Sequence, residues 1–219
     1  MDARGILKNY LDILNKKYQY KVYAANEVEG FLVKGMDAEQ VYNEKVGFEL
    51  VSMGGYYHSL PNDVLRNFID RSAEAQRAMG FENEKDHPEV APSQFELNYS
   101  YADAMIAADQ IQIYKLICRQ VARNMGMTAT FLPKPVMGIN GSGMHTNISI
   151  FKNNKNLFHD KGGRGQLSDL AWKFIDKILS NANDICLILN SSVNAYRRLD
   201  PHFEAPNEIK VSEIDRGAM

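Results

Sequence analysis

The sequence contains few cysteines, and this shortage excludes protein classes that depend on them. Only Cys118 and Cys186 occur in 219 residues, without a CxxC pair or the spacing of a disulfide framework. A thiolate-based structural zinc site and a small disulfide scaffold are therefore excluded. Both cysteines lie in stretches with helical periodicity, so we expect reduced thiols in the core of a cytoplasmic protein.

The chain also lacks a dominant charge and a long apolar run. Its net charge is −2 and it has no cluster of lysines and arginines, which argues against a nucleic-acid surface. No apolar run approaches the ~20 residues needed to span a membrane, and the N-terminus has no signal-peptide pattern. The phosphate loops of P-loop enzymes and protein kinases are missing too. A nucleotide would therefore be held through metals, arginines and aromatic or backbone contacts.

The composition that remains is that of a soluble globular protein, with 45% hydrophobic and 24% charged residues. Apolar periodicity predicts four helices: one after Asp2, one from Asn62 or Asp63 to Gly80, one over 103–124, and one over 167–189 with a break at 181–183. The third is apolar nearly all round, so we expect burial on several sides, and we expect the apolar residues of the fourth in the core. A strand is expected over 18–32.

Four glutamates occur as two pairs in short strand-like segments. Glu27 and Glu29 are two residues apart in a strand, so both side chains point to the same side. Pro92-Ser93 is typical of a turn, which places Glu89 and Glu96 on adjoining arms of a hairpin that can face one site. Like charges this close repel each other unless a positive group lies between them. Surface acids beside a turn are the alternative interpretation.

Residues 140–150 combine a glycine turn with a strand of period two. Gly141 and Gly143 allow positive φ angles and a close approach of a ligand to the backbone. In the strand that follows, His145, Asn147 and Ser149 share one face, which is typical of the wall of a binding site. An edge strand with a solvated polar face is the alternative.

Cationic residues in the second half of the chain are candidates for binding an anion. Lys134 lies between two prolines that hold the backbone extended and fix its position, although a solvated lysine fits the pattern equally well. Arg197, Arg198 and Arg216 can clamp a carboxylate or a phosphate, or they can be surface charges. Residues 200–206 form a loop bracketed by two prolines, with an acidic residue inside.

The candidate metal ligands are four carboxylates and one imidazole: Glu27, Glu29, Glu89, Glu96 and His145. Carboxylates with waters suit Mg²⁺ or Mn²⁺, and the added imidazole slightly favours Mn²⁺. Several carboxylates around divalent cations recur where phosphate groups are transferred, because the cations neutralise the developing charge. This set of ligands therefore favours phosphoryl-transfer chemistry.

Five motifs, in order, connect the chain to a known family: Glu27-Val28-Glu29, EVAPSQFE at 89–96, Lys134-Pro135, NGSGMH at 140–145 and NAYRRLDPHFEAP at 194–206. In their order and spacing they resemble glutamine synthetase of the bacterial and archaeal type I. The resemblance implies an α+β fold, with a curved antiparallel β-sheet of the glutamine synthetase/guanidino kinase catalytic type backed by α-helices. It also implies that residues 1–219 are a partial catalytic domain, without the N-terminal β-grasp domain and the C-terminal part.

The activity implied by the resemblance is ATP-dependent ligation of ammonia to L-glutamate. A γ-glutamyl phosphate intermediate would form, and the products would be glutamine, ADP and phosphate. Two or more Mg²⁺ or Mn²⁺ ions per site are expected. The resemblance divides their ligands into two groups: Glu29, Glu89 and Glu96 for one ion, and Glu27 with His145 for the other.

The same resemblance assigns roles to residues that bind the substrates. Asn140 and Gly141 would contact the amino acid, and Arg198 would contact its carboxylate or the transferring phosphoryl group. Ser149 would lie by the nucleotide and Arg216 by its phosphates.

Glu204 would belong to a flap that closes over glutamate, excludes water and helps to take a proton from ammonium. The flap reads Asp-Pro-His-Phe-Glu at 200–204, where many family members read Val-Pro-Gly-Tyr-Glu. A γ-glutamyl ligase that uses an amine or polyamine is therefore an alternative. A non-catalytic structural relative is another.

The resemblance also implies properties of a full-length parent. We expect a homo-oligomeric ring, a dodecamer, with active sites between subunits and a cytoplasmic location. Its substrates would be glutamate, ammonia and ATP, and no nucleic-acid or membrane partner is expected. Because a further metal ligand and a neighbouring domain belong to other parts of such a parent, we expect the chain as given to be inactive.

Overall fold

The structure is a computed structural model that describes residues 2–43, 47–56, 58, 60 and 62–205. The helices in these ranges are α1 (Ala3–Tyr18), α2 (Val64–Ala78), α3 (Ala104–Asn124), α4 (Asp169–Ser180), α5 (Ala182–Leu189) and α6 (Val193–Arg198), with 3₁₀ turns at Arg164–Gln166 and Pro201–Phe203. The strands are β1 (Lys21–Lys34), β2 (Asn83–Pro88), β3 (Gln94–Tyr99), β4 (Ala102–Asp103), β5 (Met127–Thr130), β6 (Met144–Lys152) and β7 (Lys155–Asn156).

The helix positions follow from local capping. Asp2, Asp63 and Asp103 each accept a hydrogen bond from a backbone N–H of the first turn, which satisfies a donor that the helix leaves free. Asn181 separates α4 from α5 at the predicted break. The four predicted helical stretches are confirmed. None of the described helices has the length and apolar character needed to cross a membrane.

β1 is the central strand of an antiparallel sheet with the strand order β2-β3-β1-β6-β7. Its 14 residues allow different neighbours along its length, since 21–28 pair with β6 and 29–31 with β3. β4 and β5 also pair with β1. β2 and β3 form the hairpin predicted at Pro92-Ser93. An α+β fold built on an antiparallel sheet and helices is therefore confirmed.

The two faces of β1 have different surroundings. Val28 and Leu32 point into the main core, which α2 and α3 cover. The hydroxyl of Tyr114, a fully buried residue of α3, donates to the backbone oxygen of Val28 at 2.9 Å and ties the helix to the strand. On the opposite face Phe31 and Val33 lie in a smaller apolar cluster, and the two preceding odd-numbered positions carry glutamates. Strand alternation thus keeps the acids off the main core.

The predicted burial of the later helices is wrong in part. Leu116 on α3 is 65% exposed and Leu187 on α5 is 77% exposed. Within the described part of α4 and α5, Ala171 is the one buried residue. Apolar periodicity identifies the apolar face of a helix, but it does not show whether another element of the same chain packs against that face. Cys118, on the inner face of α3, is buried as predicted, whereas Cys186 on α5 is only partly buried.

Candidate active site

Cross-strand pairing brings acidic and imidazole side chains together on the polar face of the sheet. Glu29 of β1 lies opposite Glu96 of β3, which in turn lies opposite His87 of β2. In the neighbouring row, Glu27 of β1 lies opposite His145 of β6. Directly paired residues project from the same face with Cβ atoms about 5 Å apart. These side chains therefore form one continuous polar surface.

Glu89, Glu96 and His87 make a compact group of possible metal ligands. Each offers one ligand atom, and these atoms lie within 4.8 Å of one another. Nδ1 of His87 is 3.5 Å from Oε1 of Glu89, and Nε2 is 3.6 Å from Oε2 of Glu96. The hydroxyl of Tyr56 donates to Oε1 of Glu89 at 2.9 Å and orients that carboxylate.

The electrostatics of Glu96 fit a cation site. Burial, a hydrogen bond with Glu89 and the negative charges of Glu89, Glu29 and Glu27 raise the pKa of Glu96 to about 9. Buried carboxylates held this close repel one another, and a divalent cation between them removes that repulsion. The donor set of carboxylate oxygens with one or two imidazoles suits Mg²⁺ or Mn²⁺.

Glu29 connects the carboxylate group to the glycine loop. Its Oε2 accepts hydrogen bonds from Nε2 of Gln94 and from the backbone N–H of Gly143, both at 2.8 Å. Its Oε1 is 3.7 Å from Nε2 of His145, and hydrogen bonding to Glu29 raises the pKa of that histidine. Glu29 thus lies between Glu96 and His145, and the division of the ligands between two ions stays a prediction.

Glu27 and the polar face of β6 form the other side of the site. Oε1 of Glu27 accepts a hydrogen bond from Nδ2 of Asn147 at 3.1 Å. Ser149 lies further along β6, opposite Tyr23, and is partly exposed. β6 pairs with β1 along most of its length, but with β7 only at its last two residues. The strand therefore has a largely open edge in the described structure, and its polar face carries His145.

The glycines of the 140–143 loop are needed for close packing. A Cβ on Gly141 would lie against the backbone oxygen of Pro133 and 2.9 Å from Cγ of Arg198, and one on Gly143 would lie 2.7 Å from Nε2 of His145. Neither glycine has a positive φ angle, so that freedom of glycine is not used at either position. The groups that lie close to these glycines belong to the protein itself, and the close approach of a ligand stays a prediction.

One cavity collects most of the predicted site residues and is lined by Glu29, Glu89, Val90, Gln94, Asn140, Gly141, His145, Arg198, Phe203 and Glu204. Across it, Nδ2 of Asn140 donates to Oε2 of Glu204 at 2.6 Å. Glu27, Glu96 and Ser149 do not line this cavity, although they lie on the strands beside it.

The three candidate arginines differ in position. Arg198 is in the cavity wall, where burial lowers its pKa and the negative charge of Glu29 opposes that shift. Arg197 is exposed, so the surface-charge interpretation holds for it. Arg216 lies outside the described residues.

Sequence reasoning missed three polar residues of the site: Tyr56, His87 and Gln94. For two of them a local signal existed, because His87 precedes Glu89 and Gln94 precedes Glu96 by two residues, the spacing that places strand neighbours on one side. No local pattern identifies Tyr56, which is 33 positions from Glu89 in sequence.

Comparison with known proteins decides the family. The family model described as "Glutamine synthetase, catalytic domain" matches residues 1–219, the whole chain. The chain belongs to the glutamine synthetase family. The predicted family and fold class are therefore confirmed.

Similar proteins cover the chain almost completely. A glutamine synthetase from Thermus thermophilus is 39% identical over 229 residues, which are 100% of this chain and 48% of the relative. A cryo-EM structure of Plasmodium falciparum glutamine synthetase has a TM-score of 0.78 and 29% identity over 92% of this chain and 44% of its own. A solved structure of a GmaS/ADP complex has a TM-score of 0.74 and 28% identity over 90% of this chain and 44% of its own. The chain spans about half the length of the curated relatives it matches.

Proposed function

We propose that the complete protein carrying this chain joins ammonia to L-glutamate at the expense of ATP. The γ-carboxylate is first phosphorylated, ammonia then attacks the γ-glutamyl phosphate, and glutamine, ADP and phosphate leave. The observation that supports this most is the shared cavity, in which carboxylates, Arg198 and the contact between Asn140 and Glu204 line one space. The side chains that line this space are suited both to phosphoryl transfer and to the binding of an amino acid.

The phosphoryl-transfer side of the cavity is acidic. Glu29, Glu89 and Glu96 would hold one divalent cation, and Glu27 with His145 a second. The chemistry supplied by bound Mg²⁺ or Mn²⁺ is neutralisation of the charge that develops on the transferred phosphoryl group. The side chains of Tyr56, Gln94 and Asn147 donate to these carboxylates and hold them in place.

The proposed nucleotide residues are Ser149 and Arg216. Ser149 lies on the same face of β6 as His145, about 13 Å further along at ~3.3 Å per residue. The ADP bound in the similar GmaS complex supports a nucleotide site on this fold.

The amino-acid side is formed by Asn140, Gly141, Arg198 and Glu204. Asn140 and the backbone of Gly141 would bind glutamate, and the Arg198 guanidinium would bind a carboxylate or a phosphoryl oxygen. Glu204 would accept a proton from ammonium and close the cavity against water. Water exclusion matters because an exposed γ-glutamyl phosphate is hydrolysed instead of being attacked by ammonia.

A product assay on the complete protein tests the proposal. With ATP, Mn²⁺, L-glutamate and ammonium, ADP and glutamine should form in equal amounts, and Glu89→Gln should abolish both. Glu74→Gln, at an exposed position of α2, is the matched control and should leave the rate unchanged. Binding of ATP and Mn²⁺ without any amide product from ammonium, methylamine or putrescine would refute catalysis and favour a non-catalytic relative.

The acceptor is tested separately, because the flap sequence differs from the common family pattern. Asp200 and His202 form a pair within the flap, with Nδ1 of His202 2.8 Å from Oδ1 of Asp200, next to Glu204. A γ-glutamyl ligase for an amine or polyamine is therefore the second candidate. Higher kcat/KM for methylamine or putrescine than for ammonium would select it.

The assembly of the complete protein is also a proposal. The family membership supports oligomeric assembly, and a homo-oligomeric ring of twelve subunits in the cytoplasm is the expected form. Light scattering of the complete protein measures the subunit number directly.

A further inference from the structure

Lys134 is a buried cationic residue to which the proposed function gives no role. It is 3% exposed, which rules out the solvated-lysine interpretation. Its backbone N–H donates to Oδ1 of Asn194 and its backbone oxygen accepts from Nδ2 of the same residue, both at 2.8 Å. Asn194 belongs to α6, the helix that ends at Arg198. The backbone of Lys134 therefore fixes the helix that carries the cavity arginine.

The side chain of Lys134 reaches two other segments of the cavity wall. Its ammonium donates to the backbone oxygen of Ile139, directly before Asn140. The same ammonium lies 4.1 Å from the ring centroid of Phe203, a position typical of a cation–π contact. Phe203 directly precedes Glu204 and lines the cavity with it.

Charges around Lys134 support a contact with the flap. Burial lowers the pKa of Lys134, and Arg198 lowers it further, whereas the carboxylate of Asp200 at the start of the flap raises it. The lysine thus has an aromatic contact with Phe203 and is influenced by the negative charge of Asp200, both in the short segment 200–204.

We propose that Lys134 is a positioning residue that holds the 200–204 flap against the cavity through Phe203, while its backbone holds α6 and Arg198. Its role in catalysis rests on the proposed function, in which the flap shields the γ-glutamyl phosphate from water. The contact itself does not depend on that function. The two parts therefore need different measurements.

Hydrogen–deuterium exchange of residues 199–205 in the complete protein measures the contact. Lys134→Met, which keeps the length and removes the charge, should increase exchange there, and Phe203→Leu should do the same. The double variant should add little to either single change, because both remove one interaction. Phe203→Tyr keeps an aromatic ring and should resemble the wild type.

Lys115→Met is the matched control. Lys115 on α3 also lies over a phenylalanine ring, 5.5 Å from the centroid of Phe131, and burial lowers its pKa as well. It does not line the cavity, so its loss should leave exchange of 199–205 unchanged. If Lys134→Met fails to fold, the comparison of Phe203→Leu with Phe203→Tyr still tests the contact from the flap side.

The ratio of ADP formed to glutamine formed measures the catalytic consequence. For the wild type it should be close to one, and Lys134→Met and Phe203→Leu should raise it at least about threefold, because an unfixed flap admits water. A purely structural lysine would lower both products together and leave the ratio unchanged.

Three results would overturn the inference: an unchanged flap exchange and ratio in Lys134→Met, the same changes in Lys115→Met, or fully additive effects of Lys134→Met and Phe203→Leu. An inactive wild type in which the exchange changes still occur would refute the proposed function alone. An active wild type with an unchanged Lys134→Met would refute this inference alone.

Discussion

At the scale of single residues, the carboxyl group of Glu96 links metal binding to pH. It lies opposite Glu29, beside Glu89 and His87, in a buried part of the sheet. A carboxyl group in such a place prefers its neutral form, and a cation competes with the proton for the same oxygens.

The stability of the protein without metal should fall as the pH rises. The pKa of Glu96 is about 9 in the folded chain against an ordinary value of 4.5, so between these values the unfolded chain has lost a proton that the folded chain keeps. Added Mn²⁺ should therefore raise Tm more at pH 8.5 than at pH 5.5. The rise in Tm caused by Mn²⁺ should be smaller in Glu96→Gln than in the wild type, but not in Glu74→Gln. An equal rise at pH 5.5 and pH 8.5 would contradict this account.

Ser93 is a second residue for which both the backbone conformation and the hydrogen bonds of the side chain are important. It has a φ angle of 63° and is fully buried. Its hydroxyl accepts from the backbone N–H groups of Val51 and Ser52, both at 2.8 Å, and donates to the Ser52 oxygen at 3.0 Å. These bonds attach the hairpin turn between Glu89 and Glu96 to the segment that leads to Tyr56.

Ser93→Ala should destabilise the protein by about 2–3 kcal/mol, since the backbone N–H groups of Val51 and Ser52 and the Ser52 oxygen each lose a hydrogen-bond partner at a buried or partly buried position. Ser93→Gly should cost about 1 kcal/mol less, because glycine adopts this conformation without strain. Urea unfolding measures both, with the exposed Ser180→Ala as control. Equal losses for the two variants would show that φ strain is not part of the balance.

At the scale of elements, the polar face of the sheet is positioned by β1 and the loop before β6. β1 supplies Glu27 and Glu29, and pairing with β3 and β6 places Glu96 and His145 opposite them. The loop is packed so closely that a Cβ on Gly143 would lie 2.7 Å from Nε2 of His145 and 2.9 Å from Nη2 of Arg198.

Gly143→Ala should lower kcat/KM for glutamate at least about tenfold, because displacing His145 or Arg198 by even 1 Å disturbs the reacting geometry. The fold should persist, since the loop lies outside the main core. Gly162→Ala is the control, since a Cβ there would have 3.7 Å to its nearest neighbour, Oδ1 of Asp160. Wild-type kinetics for Gly143→Ala would contradict the packing argument.

At the scale of the whole molecule, the exposed apolar residues of α3 and α5 indicate a surface for association. Leu116, Leu187 and Ile188 are 65%, 77% and 77% exposed in this chain by itself. Exposed apolar patches of this kind are sites of association in proteins. The 219-residue chain alone should therefore self-associate in solution.

The double variant Leu187→Lys with Ile188→Glu leaves the net charge unchanged and should shift the isolated chain toward a monomer. Size-exclusion chromatography with light scattering measures the change. Asn183→Lys, at an exposed polar position of the same helix, is the control and should not alter association. A wild-type chain that is already monomeric at high concentration would refute the prediction.

The amino-acid sequence by itself determined the helices, the hairpin and the candidate ligands, because each depends on local signals. Asp2, Asp63 and Asp103 cap helices through neighbouring backbone groups, and Glu27 and Glu29 share a face through strand alternation. Such features need no knowledge of distant residues.

Only the tertiary structure decided which distant groups meet. Pairing of strands far apart in sequence placed Glu96 between Glu29 and His87, and the path of the preceding loop brought Tyr56 to Glu89. It also decided that Lys134 is buried under Phe203 while Leu187 stays exposed. Burial and cross-strand contact depend on where the rest of the chain lies, and a local pattern of residue types contains no information on that.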